Sequence, residues 1–254
     1  MFSYTTGVSR IRGLRREIAR KLAQDGLWET LKGGTLRLVH ETRKLIWSHQ
    51  QKSHPFDLKY GTETGGVIEA GALDIADDKV LHANRYQTAI VEAFTNILNE
   101  LPIRHEEFLF IDLGSGKGRA LLLASQFAFK EIIGVELSPT LHRIACRNIQ
   151  IYRDELQRCR KIRSVCEDAA SYQIPPEKAV FYLFNPFDEQ VMQIVLTNIE
   201  ESLHRAPREI YVVYLKPSHR DVLDQSRFLK VAGHSDRYVI YEVVKSGRTS
   251  SPNR

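Results

Sequence analysis

An acidic residue and three glycines at alternate positions stand between two apolar runs near the middle of this 254-residue chain. Residues 108–113 form the first run and indicate a buried strand, and residues 120–124 indicate the start of a helix. Glycine permits positive φ and close approach of backbone amides to a ligand. Amides at a helix N-terminus favour a negatively charged group such as a carboxylate. The pattern, Asp112 followed by Gly114, Gly116 and Gly118, therefore predicts a ligand-binding turn.

Two familiar phosphate-binding turns do not fit this spacing. A dinucleotide-binding fingerprint requires a glycine at position 119, where Arg119 stands. A P-loop requires a glycine at position 111 and a Ser or Thr after its lysine, whereas Lys117 is followed by Gly118. A glycine-rich turn that binds nothing is the remaining alternative.

Two further short apolar runs end in acidic residues. Residues 132–136 end in Glu136, about twenty residues after the glycines, where a carboxylate can accept hydrogen bonds from both hydroxyls of a ribose. A surface acid at a strand end is the alternative for Glu136. Residues 162–166 form the next run and lead into Asp168 and Ala169.

The unbroken D-x-G-x-G-x-G stretch closely resembles the cofactor motif of class I S-adenosylmethionine-dependent methyltransferases. The resemblance implies that S-adenosyl-L-methionine is the cofactor. It also implies that Asp168 binds the adenine amine, that the N–H of Ala169 meets a ring nitrogen, and that Tyr86 or Thr88 contacts the methionine moiety, with a helix cap as the alternative for Thr88. The cofactor residues expected from it are Asp112, Gly114, Ser115, Gly116, Gly118, Glu136, Leu137, Asp168, Ala169, Tyr86 and Thr88.

The acceptor site is expected at Asn185, Pro186 and Phe187, which follow an apolar run at 179–184. They resemble the N-P-P-aromatic signature of amine-directed methyltransferases, in which the Asn side chain and a proline carbonyl accept hydrogen bonds from an amino group. An aromatic face holds the positive charge that develops. The chain departs from the signature, since Phe187 occupies the second proline position and Asp188 the aromatic one. A simple Asn-Pro turn with Asp188 as a helix cap is the alternative.

Strands and helices alternate after residue 108, which predicts an α/β fold: a mostly parallel, seven-stranded, Rossmann-like methyltransferase sheet with helices on both faces. Helices are expected at about 89–101, 139–158 and 188–204, with a shorter one from 218. Further strands are expected at 210–215, near 228–232, and at 238–244, the last as an antiparallel edge.

Three regions are expected along the chain: a basic helical N-terminal extension at 1–56, the methyltransferase domain at 57–245, and a polar tail at 246–254. The extension has eleven Lys or Arg residues and four Asp or Glu residues, a net charge of +7, whereas the whole chain has +5. Its apolar stripes favour docking on the domain; a basic arm for nucleic acid or an acidic protein, and an interfacial membrane helix, are the alternatives. The loop at 57–66 is either a lid over the cofactor or a linker.

Composition adds limits on location and chemistry. No apolar run reaches the eighteen residues needed to cross a bilayer, and the N-terminus lacks the apolar core of a signal peptide. Three cysteines without a C-x-x-C spacing indicate a reducing, cytoplasmic compartment and no metal site. The stretches YGTETGG, NRYQT, GVELSP and YLFNPF resemble a bacterial class I methyltransferase family whose substrates are mostly unassigned, over residues 56–245, and are faintly similar to non-SET protein-lysine methyltransferases.

The sequence therefore predicts a methyltransferase with an unidentified acceptor, such as a protein amine. The alternatives are an O-methyltransferase of a small molecule and a non-catalytic module that binds the cofactor.

Overall fold

The computed structural model describes residues 54–88 and 91–244, which belong to the unit Lys52–Arg254 of the chain. The helices are α1 (Pro55–Tyr60), α2 (Asp77–Val80), α3 (Val91–Glu100), α4 (Arg119–Ala124), α5 (Pro139–Ile151), α6 (Glu189–Arg205) and α7 (Arg220–Asp224). The strands are β1 (Leu109–Leu113), β2 (Glu131–Glu136), β3 (Ile162–Cys166), β4 (Ala179–Phe184), β5 (Ile210–Leu215), β6 (Leu229–His234) and β7 (Tyr238–Val243). Among these residues, no helix is long and apolar enough to cross a membrane.

The seven strands form one sheet in the order β3-β2-β1-β4-β5-β7-β6. Strands β1 to β5 are parallel, and β7 is antiparallel to both of its neighbours. The chain leaves β3 at one edge and returns beside β1 as β4, so the strand order reverses between β1 and β4. Open α/β sheets bind ligands at the carboxyl ends of the strands at such a reversal.

Strand residues alternate between two apolar layers. Leu109, Ile111 and Leu113 face a core that α6 and α7 cover, while Phe110 and Tyr182 face a second core that α3 and α4 cover. Each central strand therefore buries both of its faces, which explains why its sequence is a continuous apolar run instead of an alternating one. The predicted mostly parallel sheet with helices on both faces is confirmed.

Two predictions were wrong: the end of one helix and the position of the last strand in the sheet. The helix starting at Pro139 ends at Ile151, not near 158, because Tyr152 leaves the helical conformation and its ring packs 4.7 Å from that of Tyr60. Its hydroxyl donates to Asp154 at 3.0 Å. The last strand is not an edge: β7 lies between β5 and β6, and β6 forms the edge. Alternation of apolar and polar residues identifies a strand, but it does not show which neighbouring strands that strand pairs with.

The helices predicted within the basic N-terminal segment and the polar tail predicted at 246–254 lie outside the described ranges. The described part begins at His54, and α1 starts at Pro55, two residues before the predicted domain boundary. Phe56 is buried and stacks on Tyr152 at 6.0 Å, so these residues form part of the core beside the sheet.

Candidate cofactor and acceptor site

A cleft of about 1020 Å³, a volume that includes space open to solvent, lies at the carboxyl ends of β1 to β4. It unites residues that follow four different strands, as expected for a ligand site at the reversal of strand order. Every predicted cofactor and acceptor residue lines it except Gly118 and Asn185. The lining predicted from the sequence is Tyr86, Thr88, Asp112, Gly114, Ser115, Gly116, Glu136, Leu137, Asp168, Ala169, Pro186 and Phe187.

The glycine turn after β1 is tied to the end of β2 by its own amides. The N–H groups of Gly114 and Ser115 donate to the carbonyl of Val135 at 2.9 and 3.0 Å, and that of Gly116 donates to Glu136 Oε2 at 2.7 Å. The N–H of Gly118 donates back to the carbonyl of Ser115. These amides are therefore hydrogen bonded within the protein, and the expectation that the turn favours a carboxylate of the ligand stays a prediction. Through these hydrogen bonds the amides hold the turn against β2.

Two of the glycines are required by close neighbours from other parts of the site. A Cβ at Gly114 would lie 2.5 Å from Cβ of Pro186, and one at Gly116 would lie 2.2 Å from Cε2 of Tyr86. Both have positive φ, 85° and 54°, which side chains disfavour. The turn therefore brings the predicted methionine contact and the predicted acceptor strand end into direct contact with the motif.

Two buried carboxylates lie side by side in the cleft. Burial raises the pKa of Glu136, although hydrogen bonds from the backbone of Ser138 and Gly116 oppose the rise. Burial, together with the charge of Glu136, raises the pKa of Asp112 well above its ordinary range, and no described group donates a hydrogen bond to its carboxylate. The adjacent hydroxyls of Ser115 and Tyr182 are also buried without a hydrogen-bond partner. This part of the cleft favours a ligand that carries positive charge and hydrogen-bond donors.

The predicted adenine residue is held by a contact that the sequence did not reveal. Lys79, in α2, places its Nζ 2.7 Å from Asp168 Oδ2, and Asp168 Oδ1 accepts from the N–H of Ala170 at 2.9 Å. Leu73 and Ile75 add apolar surface to the same side of the cleft. The segment before Tyr86 therefore lines the cleft beside the predicted adenine residue, where the sequence had indicated nothing.

The loop after α1 is packed against the glycine motif. Asp57 accepts hydrogen bonds from Thr62, Thr64 and Gly65, and Arg119 donates through Nε to the fully buried Thr64 at 2.6 Å. Burial alone would raise the pKa of Asp57, but hydrogen bonds from Thr64 and Thr62 and the charge of Arg119 lower it. Residues 57–60 of the predicted loop are helical, as part of α1, and the rest is hydrogen bonded to Asp57 and Arg119, so 57–66 is not an unpacked linker. Closure of the segment over a cofactor stays a prediction.

Tyr86 and Thr88 reach the cleft from the other side of this loop. The Tyr86 hydroxyl donates to the carbonyl of Thr64 at 2.5 Å, and Thr88 Oγ1 donates to the same carbonyl at 2.9 Å. Residues 89 and 90 lie outside the described ranges, so the cap alternative for Thr88 stays open. Both hydroxyls are hydrogen bonded to the loop, so the Tyr86 ring is the part of this side chain that can contact a ligand in the cleft.

The predicted acceptor residues differ from expectation in what their polar atoms contact. Asn185 has a positive φ of 46°, and its Oδ1 accepts from the Tyr214 hydroxyl at 3.3 Å, so its side chain does not line the cleft. The Pro186 carbonyl accepts from the N–H of Asn84 at 3.1 Å, and Asn84 Nδ2 donates to the carbonyls of Asn185 and Phe187. The pair of acceptors predicted to hold an amine is therefore already hydrogen bonded within the protein. The Phe187 ring remains in the cleft.

Asp188 caps α6, as its alternative interpretation predicted, and also contacts a residue that the sequence did not single out. Its Oδ1 accepts from the N–H of Val191 at 3.0 Å, and its Oδ2 lies 2.6 Å from Nδ1 of His82. Burial alone would raise the pKa of Asp188, but the hydrogen bond from His82 and the cap bond lower it. His82 lines the cleft beside Phe187. Since 106 residues separate the pair, no local pattern could have predicted it.

Within the described ranges, no group of three or more His, Cys, Asp or Glu side chains is arranged to hold a metal ion. The strand order, with an antiparallel β7 inserted between β5 and β6, is that of the class I methyltransferase fold.

Solved structures with a similar fold include several described as methyltransferases. The putative methylase HI0767 from Haemophilus influenzae is 17% identical over 62% of this chain and 89% of its own, with a TM-score of 0.45. The putative methyltransferase yhhF from Escherichia coli is 15% identical over 61% and 85%, with a TM-score of 0.46. An RNA methyltransferase from Salinibacter ruber in complex with S-adenosyl-L-homocysteine is 15% identical over 65% and 95%, with a TM-score of 0.40. No protein-family model and no curated protein matches the chain.

Proposed function

We propose that the chain is an S-adenosyl-L-methionine-dependent methyltransferase. The observation that carries the proposal is that one cleft receives the glycine turn after β1, the acid that ends β2, the Asp168-Ala169 pair after β3 and Phe187 after β4. Ligand sites of open α/β sheets lie at this edge.

The charge of the cleft supports this cofactor over a nicotinamide dinucleotide. Asp112 and Glu136 are both buried there, and the charge of Glu136 adds to the effect of burial in raising the pKa of Asp112. A pyrophosphate would add negative charge beside them, whereas S-adenosylmethionine brings an ammonium and a sulfonium. Opposite charge within a few ångströms favours the ionised carboxylate. In this assignment Glu136 accepts from the ribose hydroxyls, Asp112 lies near the ammonium, and Asp168 shares its carboxylate between Lys79 and the adenine amine.

The bound cofactor supplies a methyl group already activated by its sulfonium. The residues of the chain then have to bind, orient and exclude water, and good positioning alone can supply about 7–11 kcal/mol of the barrier. The Tyr86 and Phe187 rings provide the water-poor, aromatic walls that suit a positive charge being transferred.

The likeness to the N-P-P-aromatic signature favours an amine, such as that of a protein lysine, as the acceptor. The amine would contact the Phe187 ring. A hydroxyl acceptor is the second candidate, and the His82–Asp188 pair favours it, because a hydroxyl must lose its proton as it attacks.

The proposal is tested by binding and by transfer. Titration calorimetry should show that S-adenosyl-L-methionine and S-adenosyl-L-homocysteine bind and that NAD does not. Tritiated methyl groups should then pass from the cofactor to protein or small-molecule fractions of a bacterial extract. Binding without any transfer would identify a non-catalytic module, and tight binding of NAD would overturn the proposed cofactor.

Asn185→Gly removes the predicted acceptor side chain at a backbone position that glycine tolerates. Lys216→Gly is its matched control, since Lys216 also has a positive φ (45°) at a strand end before a proline. If Asn185 shapes the acceptor site, its variant should lose transfer at near-normal cofactor affinity, and the control should retain both. Equal loss of binding and transfer would place Asn185 with the cofactor.

A further inference from the structure

The region around His82 pairs two distant segments of the cleft wall. The backbone N–H of Asp188 donates to the carbonyl of His82 at 2.9 Å, and Ala83 pairs with Phe187 in an isolated antiparallel bridge. The His82 ring is thus fixed relative to the end of β4 by backbone and side-chain contacts together. Its distance of 2.6 Å from Asp188 Oδ2 is that of a charge-assisted hydrogen bond.

The contacts of Asp188 determine which nitrogen of His82 carries the proton. An ionised carboxylate only accepts hydrogen bonds, and the lowered pKa of Asp188 keeps it ionised at neutral pH. Nδ1 must therefore be the donor, so that in the neutral ring Nε2 has a free lone pair. Within the described part of the chain no group is hydrogen bonded to Nε2. About a third of each side chain, 35%, is exposed.

A carboxylate thus orients one nitrogen of a histidine that lines the cleft, and the other nitrogen is left to act as a base. The cavity wall beside it is Phe187, which stands where the acceptor is expected. The charge of His219 also lowers the pKa of Asp188, and Lys79, three residues before His82, is bound to Asp168. Neither His219 nor Lys79 is hydrogen bonded to Nε2.

We propose that His82, oriented by Asp188, is the general base that takes the proton of the methyl acceptor. The inference rests on the proposed methyltransferase function and names its acceptor class: a hydroxyl or an amine bearing a removable proton. As the bond from the acceptor oxygen or nitrogen to the methyl carbon forms, the carbon–sulfur bond breaks, sulfur keeps its electron pair, and the acceptor proton passes to Nε2. Asp188 stabilises the imidazolium that results.

The first test needs no acceptor. Nitrogen-15 NMR of the imidazole in the free protein should show His82 protonated at Nδ1 and not at Nε2 when the ring is neutral. In Asp188→Asn the amide still caps α6 through its oxygen, but its NH₂ group donates to Nδ1, so the proton should move to Nε2. A wild-type ring protonated at Nε2 would overturn the proposal, whatever the outcome of any activity assay.

The second test measures transfer to the extract fractions that the wild type labels. His82→Gln keeps a donor for Asp188 but cannot take a proton. It should lower kcat by about 10²- to 10⁴-fold, with the dissociation constant for S-adenosyl-L-homocysteine changed less than threefold. Asp188→Asn should also lower kcat. His204→Gln is the control, since His204 is exposed in the last turn of α6.

Two measurements distinguish a general base at His82 from a residue with a purely structural role. The rate of the wild type should fall on the acid side of its pH profile, and that limb should be absent from His82→Gln. Added imidazole should restore part of the rate of His82→Ala. Unchanged kcat in His82→Gln, or equal loss of cofactor affinity and kcat, would overturn the assignment. Normal cofactor binding with no transfer by the wild type would remove the proposed function itself and the inference with it.

Discussion

Glu136→Ala removes a carboxylate that links the glycine turn, the second strand and the proposed ribose site. Its Oε2 accepts from the N–H of Gly116 at 2.7 Å and its Oε1 from that of Ser138 at 2.8 Å. A carboxylate has about four acceptor positions, so two remain for the hydroxyls of a ribose. Loss of hydrogen bonds to a charged acceptor should weaken S-adenosylmethionine binding by about 2–3 kcal/mol, which is roughly 30- to 150-fold in the dissociation constant.

The pH dependence of binding gives an independent check of the same residue. Since burial raises the pKa of Glu136, the free protein loses that proton at a higher pH than an exposed glutamic acid does. A ribose diol needs the ionised form, so affinity should increase as the pH rises through the raised pKa and then level off. The rise should be absent from Glu136→Ala.

Titration calorimetry with S-adenosyl-L-homocysteine measures both effects, and circular dichroism verifies that the variant is folded. Glu131→Ala is the matched control, since Glu131 begins the same strand and its carboxylate contacts Lys161 and Arg163 at 2.6 and 2.7 Å, away from the cleft. Its affinity should be that of the wild type. A folded Glu136→Ala protein with unchanged affinity at every pH would refute the ribose assignment.

Three further substitutions test the surroundings of the cleft. Gly116→Ala should lower the free energy of unfolding by about 1–3 kcal/mol in urea titrations, because its Cβ would meet the Tyr86 ring at 2.2 Å. Asp112→Asn should melt at a higher temperature than the wild type at pH 7 yet bind cofactor less tightly. Because the pKa of Asp112 is raised in the folded wild type, the wild type loses stability as the pH rises above about 3.9. The difference in melting temperature between the two proteins should therefore disappear at pH 4. Asp57→Asn leaves Arg119 without its buried partner and should cost about 3–5 kcal/mol in urea; because the folded pKa of Asp57 is lowered, its contribution is present above pH 3.9 or so and is lost as pH falls below that.

The parts of the site that the sequence predicted are those that short-range patterns determine. Asp112, the glycines and Glu136 lie within 25 residues of one another on successive strands, and parallel strands place their carboxyl ends at one edge. The alternation of strands and helices was sufficient for the parallel sheet. The order at its other end was not, since β6 and β7 have similar patterns and only pairing distinguishes the edge strand.

The parts that the sequence did not predict depend on pairs far apart in the chain. His82 meets Asp188, Lys79 meets Asp168, and Arg119 reaches back to Asp57. Each is a polar side chain that alone resembles an ordinary surface or loop residue. The partners of the turn amides, Val135 and Glu136, were not predicted for a related reason: the neighbouring strand supplies them once the sheet forms.

One segment, residues 74–82, contacts both ends of the cleft through long-range pairs. Asp74 binds Ser138 and Thr140 at the start of α5, Lys79 binds Asp168 after β3, and His82 binds Asp188 at the start of α6. The segment from 74 to 82 is thus attached beside the proposed ribose, adenine and acceptor positions in turn.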